Sequence, residues 1–149
     1  MENLEKRKEV YGICGECNEP GTGWYWCQLC NANRLKKNFQ NWTSGNKDID
    51  ELIQYSQLNG ICFINFLEWI PFENFKNVNY ITRGGFGRIY SAIWPEGSIC
   101  YWNIENQGWI RNSNIKVALK CLDNSSEIST AFLNEVIKKI YLFHIFNIY

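Results

Sequence analysis

The sequence predicts an α+β fold, and three observations carry that prediction. Two Cys-x-x-Cys pairs lead the chain, β-branched and aromatic runs flank a glycine-rich turn, and two stretches place apolar residues at helical spacing. Together they predict an antiparallel β-sheet with one packed helix, preceded by a small zinc-knuckle or ribbon-like segment and a helical linker.

The 149 residues suffice for one ordinary domain or two small ones with thin cores. Three zones follow one another: 1–37 with the paired cysteines, 38–70 as the helical linker, and 71–149 with the sheet and its helix. Fifteen basic and fifteen acidic side chains balance, so no basic field advertises a nucleic-acid partner. The opening MENLEKRKEVYG is charged and has no apolar centre, which excludes a signal peptide. The longest apolar tract, IYLFHIFNIY, falls short of the roughly 18 residues a membrane span requires and is broken by His144 and Asn147. An intracellular, cytoplasmic chain with no membrane partner is the expectation.

Of seven cysteines, four form the pairs Cys14/Cys17 and Cys27/Cys30, with nine residues between Cys17 and Cys27. Each Cys-x-x-Cys turn aims two thiolates at one point, and two facing turns make a tetrahedral four-sulfur site suited to Zn²⁺. Such a site is closed and therefore structural. A redox dithiol or plain buried thiols are the alternatives. The run Trp24-Tyr25-Trp26 is expected to cover the site with apolar surface, and metal binding to supply much of the folding free energy of so small a segment. Cys62, Cys100 and Cys121 are expected as small buried apolar residues.

In the linker, TSGNKDIDELIQYSQLNG offers Ser44 and Asp48 as caps, a stripe of Ile49, Leu52, Ile53 and Tyr55, and Gly60 as a stop. After Pro71 the pattern turns to strands: 77–84, 88–94, ICYWNI, GWIR and IKVALKCL, divided by turn residues at 95–97, 105–108 and 112–114. The aromatic residues of 95–114 suit hairpin packing or a partner surface. A last change of period puts Ile128, Phe132, Leu133, Val136, Ile137 and Ile140 on one side of a helix.

Between the first two strands lies ITRGGFGRIY, residues 81–90. A dinucleotide-binding turn must lead into a helix, but Gly87 leads into a strand, and the Lys-Ser/Thr of a Walker loop is absent. What remains is a glycine hairpin. Gly84, Gly85 and Gly87 leave backbone N–H groups open to phosphate oxygens, and Phe86 could shield them from water. Downstream, VALK places Lys120 on the next strong strand, where it is either solvated or an α/β-phosphate contact. Ala118 is small enough for an adenine ring to lie against it. Fifteen residues past Lys120, at about 100° per helical residue, Glu135 falls at the edge of the apolar helix face. A carboxylate there could hold the Lys120 ammonium.

These features resemble the small lobe of the eukaryotic protein kinases, whose motif order is a glycine-rich loop, Val-Ala-x-Lys and a helix glutamate. The matching positions are Ile81, Thr82, Gly84, Phe86, Gly87, Ile89 and Tyr90, then 117–120 and Glu135. The lead-in LEWIPFENFKNVNYI is similar to the start of tyrosine-kinase-like domains. With the paired cysteines and NFQNWTSGNKDIDELI, the chain is similar to an expanded fungal kinase family with a cysteine-rich prefix. The resemblance implies ATP as ligand, held by Ile81, Thr82, Gly84, Gly85, Phe86, Gly87, Ile89, Ala118 and Lys120, with Glu135 positioning the lysine and that helix as αC. Thr82 departs from the family's first glycine, which implies weakened nucleotide binding.

The family also requires a His-Arg-Asp catalytic loop and an Asp-Phe-Gly that holds Mg²⁺. Neither occurs in the 149 residues, so no catalytic residue is expected and the lobe reads as truncated. The activity the family implies, ATP-dependent phosphorylation of protein Ser, Thr or Tyr, is not expected of this chain alone. Its alternatives are a zinc-containing interaction or pseudokinase module, with a protein partner or full-length kinase relatives to bind, and a product without function.

Overall fold

The first helix is built from strong helix formers. Leu4–Tyr11 (α1) reads LEKRKEVY and buries none of its residues, so side-chain bonds rather than a core face dock it. Arg7 donates from Nε to the Gly21 carbonyl at 3.1 Å and from Nη2 to that of Pro20 at 2.7 Å. A computed structural model of the chain describes residues 4–85, 87–123, 131 and 134. Phe86 and Glu135 lie outside the described residues, as does nearly all of the helix expected beyond residue 127.

Gln28–Lys37 (α2) and Lys47–Asn59 (α3) follow, with short 3-10 turns at Phe39–Asn41 and Phe72–Asn74. Asn46, not Ser44 or Asp48, caps α3. Its backbone is extended, and its side chain accepts from the N–H of Asp48 at 2.9 Å and of Ile49 at 3.2 Å. Ser44 turns instead to the Asp50 carboxylate. Gly60 ends the helix as expected. The buried stripe of α3 is Ile53, Ser56 and Gln57, whereas Tyr55 is exposed. Ser56 and Gln57 tolerate burial because both are bonded. Leu67 N–H donates to Ser56 Oγ at 2.9 Å, and Gln57 Nε2 donates to the Leu67 carbonyl at 2.8 Å. These bonds fasten the connector after α3 against the helix.

Five strands complete the described fold: Lys76–Gly84 (β1), Gly87–Trp94 (β2), Ser98–Asn103 (β3), Gly108–Asn112 (β4) and Ile115–Leu122 (β5). β1, β2 and β5 form a three-stranded antiparallel sheet in that order, while β3 and β4 pair as a separate ribbon. The fold is thus α+β with a small antiparallel sheet and three α-helices among the described residues.

The described residues divide into two compact units. One takes those within Met1–Trp69 together with Ile99–Ile110, and the other those within Ile70–Ser98 and Arg111–Leu142. The cysteine-rich residues and residues 38–69 therefore share a unit, and residues 99–110, most of the β3–β4 ribbon, belong to it as well. In this first unit Trp26, Leu35 and Ile99 are buried together, with Phe39, Phe66 and Trp109 packed around them. In the second, Ala92 and Trp94 are buried on β2.

Candidate metal centre and phosphate-binding sheet

Four sulfur atoms converge in the first unit. The Sγ atoms of Cys14, Cys17, Cys27 and Cys30 all lie within 4.8 Å of one another, and could hold a metal ion. Cys14 and Cys30 are 3.8 Å apart and Cys17 and Cys27 3.6 Å. Zinc–sulfur bonds of about 2.3 Å in a tetrahedron put neighbouring sulfurs at about 3.8 Å, so this donor set fits Zn²⁺. No disulfide joins any cysteines among the described residues.

The two pairs reach this point differently. Cys14 and Cys17 lie in a knuckle that Cys14 N–H closes onto the Glu19 carbonyl at 2.9 Å and Asn18 N–H onto the Cys14 carbonyl at 3.0 Å. A second ribbon turn was the expectation for Cys27 and Cys30. Instead Cys27 is the N-cap of α2 and Cys30 sits in its first turn, so the helix start aims both thiols. Only single bridges, Ile13↔Pro20 and Gly23↔Trp26, mark strand pairing between the pairs.

Burial resists ionisation of the second pair. The Cys27 thiol is pushed up to about 11, by burial first and then by the neighbouring Cys17 and Cys14 thiols, and Cys30 is pushed higher still, by burial first and then by the Cys17 and Cys27 thiols, the Cys27 charge and the Cys14 thiol. For Cys14, burial is outweighed by the backbone N–H groups of Cys17 and Glu16 and by the Cys17 and Cys27 thiols, which hold it below its ordinary value. Four thiolates this close repel one another, and a divalent cation at their centre removes that penalty.

Of the expected Trp24-Tyr25-Trp26 cover, only one side chain is buried. Trp26 is 3 % exposed and donates from Nε1 to the Gly60 carbonyl at 2.9 Å, whereas Trp24 and Tyr25 stand out from the turn. Tyr25 has φ 53°, which turns it away from the core. Around the knuckle the sequence reading missed an ionic cluster. Arg34 of α2 pairs with Glu16 and donates from Nη1 to Asn31 Oδ1 at 2.8 Å, and its guanidinium lies 4.3 Å over the Trp102 ring. The four-residue spacing from Cys30 to Arg34 on α2 is the sequence signal that could have placed that arginine beside the site. The three scattered cysteines depart from expectation: Cys62 and Cys100 are half-buried and Cys121 is exposed. Cys62 Sγ donates to Asn65 Oδ1.

In the second unit, β1 and β2 meet at the glycine hairpin with Gly84 opposite Gly87. Gly87 has φ 152°, and a Cβ there would come 1.9 Å from the Cys121 carbonyl oxygen, so the close approach of β2 to β5 already demands this glycine. Gly85 is different: a Cβ there meets nothing within 4 Å among the described residues.

Partners across an antiparallel ladder project to one face. Thr82 is opposite Ile89, and Ile89 is opposite Lys120. One step along, Ser91 is opposite Ala118. Thr82, Ile89, Ala118 and Lys120 thus share a face, with Ala118 exposed and Ile89 and Lys120 half-buried. Ile81 falls at an irregularity of β1 between Tyr80 and Thr82 and is exposed. Phe86 and Glu135 are not among the residues whose positions are described.

Comparison with family models, curated proteins and solved structures finds no match to this chain. No helix among the described residues is long and apolar enough to cross a membrane.

Proposed function

We propose that this chain is a nucleotide-binding module of the protein-kinase small-lobe type, carried beside a structural zinc site. In this reading Cys14, Cys17, Cys27 and Cys30 hold Zn²⁺. The glycine hairpin, Lys120, Ala118 and the side chains in line with them receive ATP, with Glu135 holding the lysine. The observation that carries it is the cross-strand row Thr82–Ile89–Lys120. That row sets an ammonium on the face and at the end of the sheet where the hairpin turns. Gly85 adds support, because no described residue gives it a steric reason to be glycine, whereas a ligand approaching the backbone does. Phosphoryl transfer is not assigned to these residues, which include neither a His-Arg-Asp nor an Asp-Phe-Gly.

The test is thermal unfolding of the zinc-loaded chain with and without ATP. Ligand at about 100 times its Kd stabilises by about 2.7 kcal/mol, a readily measured rise in Tm. Lys120→Met is expected to abolish the rise while leaving zinc content unchanged. Stoichiometric zinc with no response to ATP would refute the nucleotide reading.

A second reading, a zinc-containing interaction module, is favoured by Tyr25. It is 80 % exposed on left-handed backbone that costs a side chain about 1–2 kcal/mol, with its ring 5.5 Å from that of Tyr101. Capture of a protein partner that Tyr25→Ser abolishes would favour it over ATP binding.

A further inference from the structure

We propose that the Arg34–Glu16 pair is the latch of the four-cysteine centre. Arg34 holds the Cys14/Cys17 knuckle closed against α2, and the knuckle is the half that opens when metal is released. The latch rests on the zinc reading, which it deepens, and every residue in it belongs to the unit that carries the cysteines.

The two halves of the centre are fastened unequally. Cys27 and Cys30 open a helix that buries Asn31 and Leu35, and Trp26, the residue before Cys27, is buried with Leu35 and Ile99. The knuckle has no such anchor. None of residues 13–19 is buried, and α1, which precedes them, buries nothing either. Local opening starts where few side chains are withdrawn from water, which makes the knuckle the weaker half. Its backbone turns, closed by the Cys14 and Asn18 N–H groups, shape the positions of its two thiols but tie them to nothing on α2.

One guanidinium bridges that gap. Arg34 lies one turn after Cys30 on the same side of α2, and Glu16 stands between Cys14 and Cys17 in the knuckle. Arg34 Nη2 pairs with the Glu16 carboxylate, while Nη1 donates to Oδ1 of Asn31 on the helix itself at 2.8 Å. The guanidinium carbon lies 4.3 Å over the centre of the Trp102 ring. Trp102 is held edge-to-face by Trp109, rings 5.1 Å apart, and Trp109 stacks on Trp26 at 6.0 Å. The charged fork is thus aimed from the buried cluster beside Cys27 outward to the knuckle. Arg34 and Glu16 keep only 18 % and 26 % of their side-chain surface, so water screens this pair less than an exposed one. Arg34 is a positioning residue: it acts on the metal through the knuckle that Glu16 belongs to.

Zinc transfer from the full chain to an excess of a chromogenic chelator tests the latch. Zinc content is measured first, and cobalt substitution reports the sulfur geometry. Arg34→Met and Glu16→Ala are each expected to load zinc stoichiometrically and to keep the wild-type cobalt spectrum. Each should release metal about tenfold to a hundredfold faster, the usual cost of losing an outer-shell partner. Combined, they should release it no faster than Arg34→Met alone, because the pair acts as a unit. Glu16→Ala lies in the exposed knuckle, which keeps the test open if Arg34→Met fails to fold. A thiol-alkylating reagent added during release should modify Cys14 and Cys17 before Cys27 and Cys30. A wild-type release rate in either variant, a changed cobalt spectrum, or effects that multiply in the double variant would overturn the latch and leave the zinc reading intact. So would alkylation that begins at Cys27 and Cys30. Sub-stoichiometric zinc in the wild-type chain would overturn the zinc reading and the latch with it.

Discussion

The two units of this chain solve the same problem with different means. The cysteine unit buries an aromatic and aliphatic cluster around Trp26, and its buried polar side chains Asn31, Ser56 and Gln57 lie in hydrogen-bonded or ion-linked surroundings. Among its described residues the sheet unit buries little: on β1 eight of nine residues are exposed, and its register rests on backbone pairing and on Gly87 and Gly97, where the chain approaches too closely for any Cβ. Small domains compensate for thin cores with metals or disulfides, and the unit with four converging sulfurs has the donors for such a metal. A ladder specified by its backbone needs less burial but depends sharply on a few glycines. The comparison therefore predicts that the first unit fails when its metal or its tryptophan is lost, and the second when a glycine gains a side chain.

The largest effect is expected from the metal. Structural zinc contributes about 10–16 kcal/mol of apparent binding free energy in small zinc-dependent folds. Cys17→Ser, or a chelator, is expected to abolish cooperative unfolding of the cysteine unit, read as loss of the Trp26 near-ultraviolet signal. Retention of that signal in the metal-free chain would show that the aromatic cluster suffices. Next comes Trp26→Ala, which removes the centre of that cluster and the donor to the Gly60 carbonyl. A loss of about 3–5 kcal/mol is expected, measured as a denaturant midpoint. In the sheet unit Gly87→Ala puts a methyl into the Cys121 carbonyl. It should cost at least the roughly 1–3 kcal/mol that such backbone costs a side chain, read as faster amide exchange along β2 and β5. If Gly87→Ala leaves exchange unchanged, the close approach is not what fixes that glycine.

How much of this the sequence disclosed also divides along the two units. In the sheet, period and turn chemistry are local, so IKVALKCL was legible as a strand over the residues that form β5, and in the other unit the convergence of the four cysteines was legible from spacing alone. The start of α2 was not, because the ligand pair Cys27/Cys30 masks a helix whose buried residues are only Asn31 and Leu35. α1 gave no apolar signal for the same reason that it buries nothing. Ser44 and Asp48 competed with Asn46 for the cap, and only backbone geometry decides among three good capping residues within five positions. The destination of residues 99–110 was least legible. Trp109 meets Trp26 across more than half the chain, and no local pattern encodes a contact of that separation. Lys120 stands between these cases: register places it in line with Ile89 and Thr82, while Glu135, the partner expected for it, lies outside the described residues.

The smallest expected effect concerns the entrance to α3, and its sign follows from one carboxylate. Asp50 accepts from Ser44 Oγ at 2.5 Å, from Thr43 Oγ1 at 2.5 Å and from the Ser44 N–H at 2.8 Å. Burial raises the pKa of this carboxyl, but the Ser44 and Thr43 hydroxyls and the Ser44 N–H outweigh it and hold it below the ordinary aspartate value. A depressed folded-state value means that the folded chain binds the proton less readily than the unfolded one. The stabilisation is therefore present above the unfolded value of about 3.9 and is lost as pH falls through the lower folded value. Asp50→Asn should lower the denaturant midpoint slightly at pH 7, and the gap to wild type should close progressively below pH of about 4. Comparing the two proteins at each pH cancels the proton competition at the cysteines, which both share. Solvent around this half-buried side chain screens the interaction, so the gap belongs with weak surface charge effects and well below the loss for Trp26→Ala. A gap that persists undiminished at pH 3 would mean that the uncharged shape of the side chain, and not its charge, holds Ser44 in place at the head of the helix.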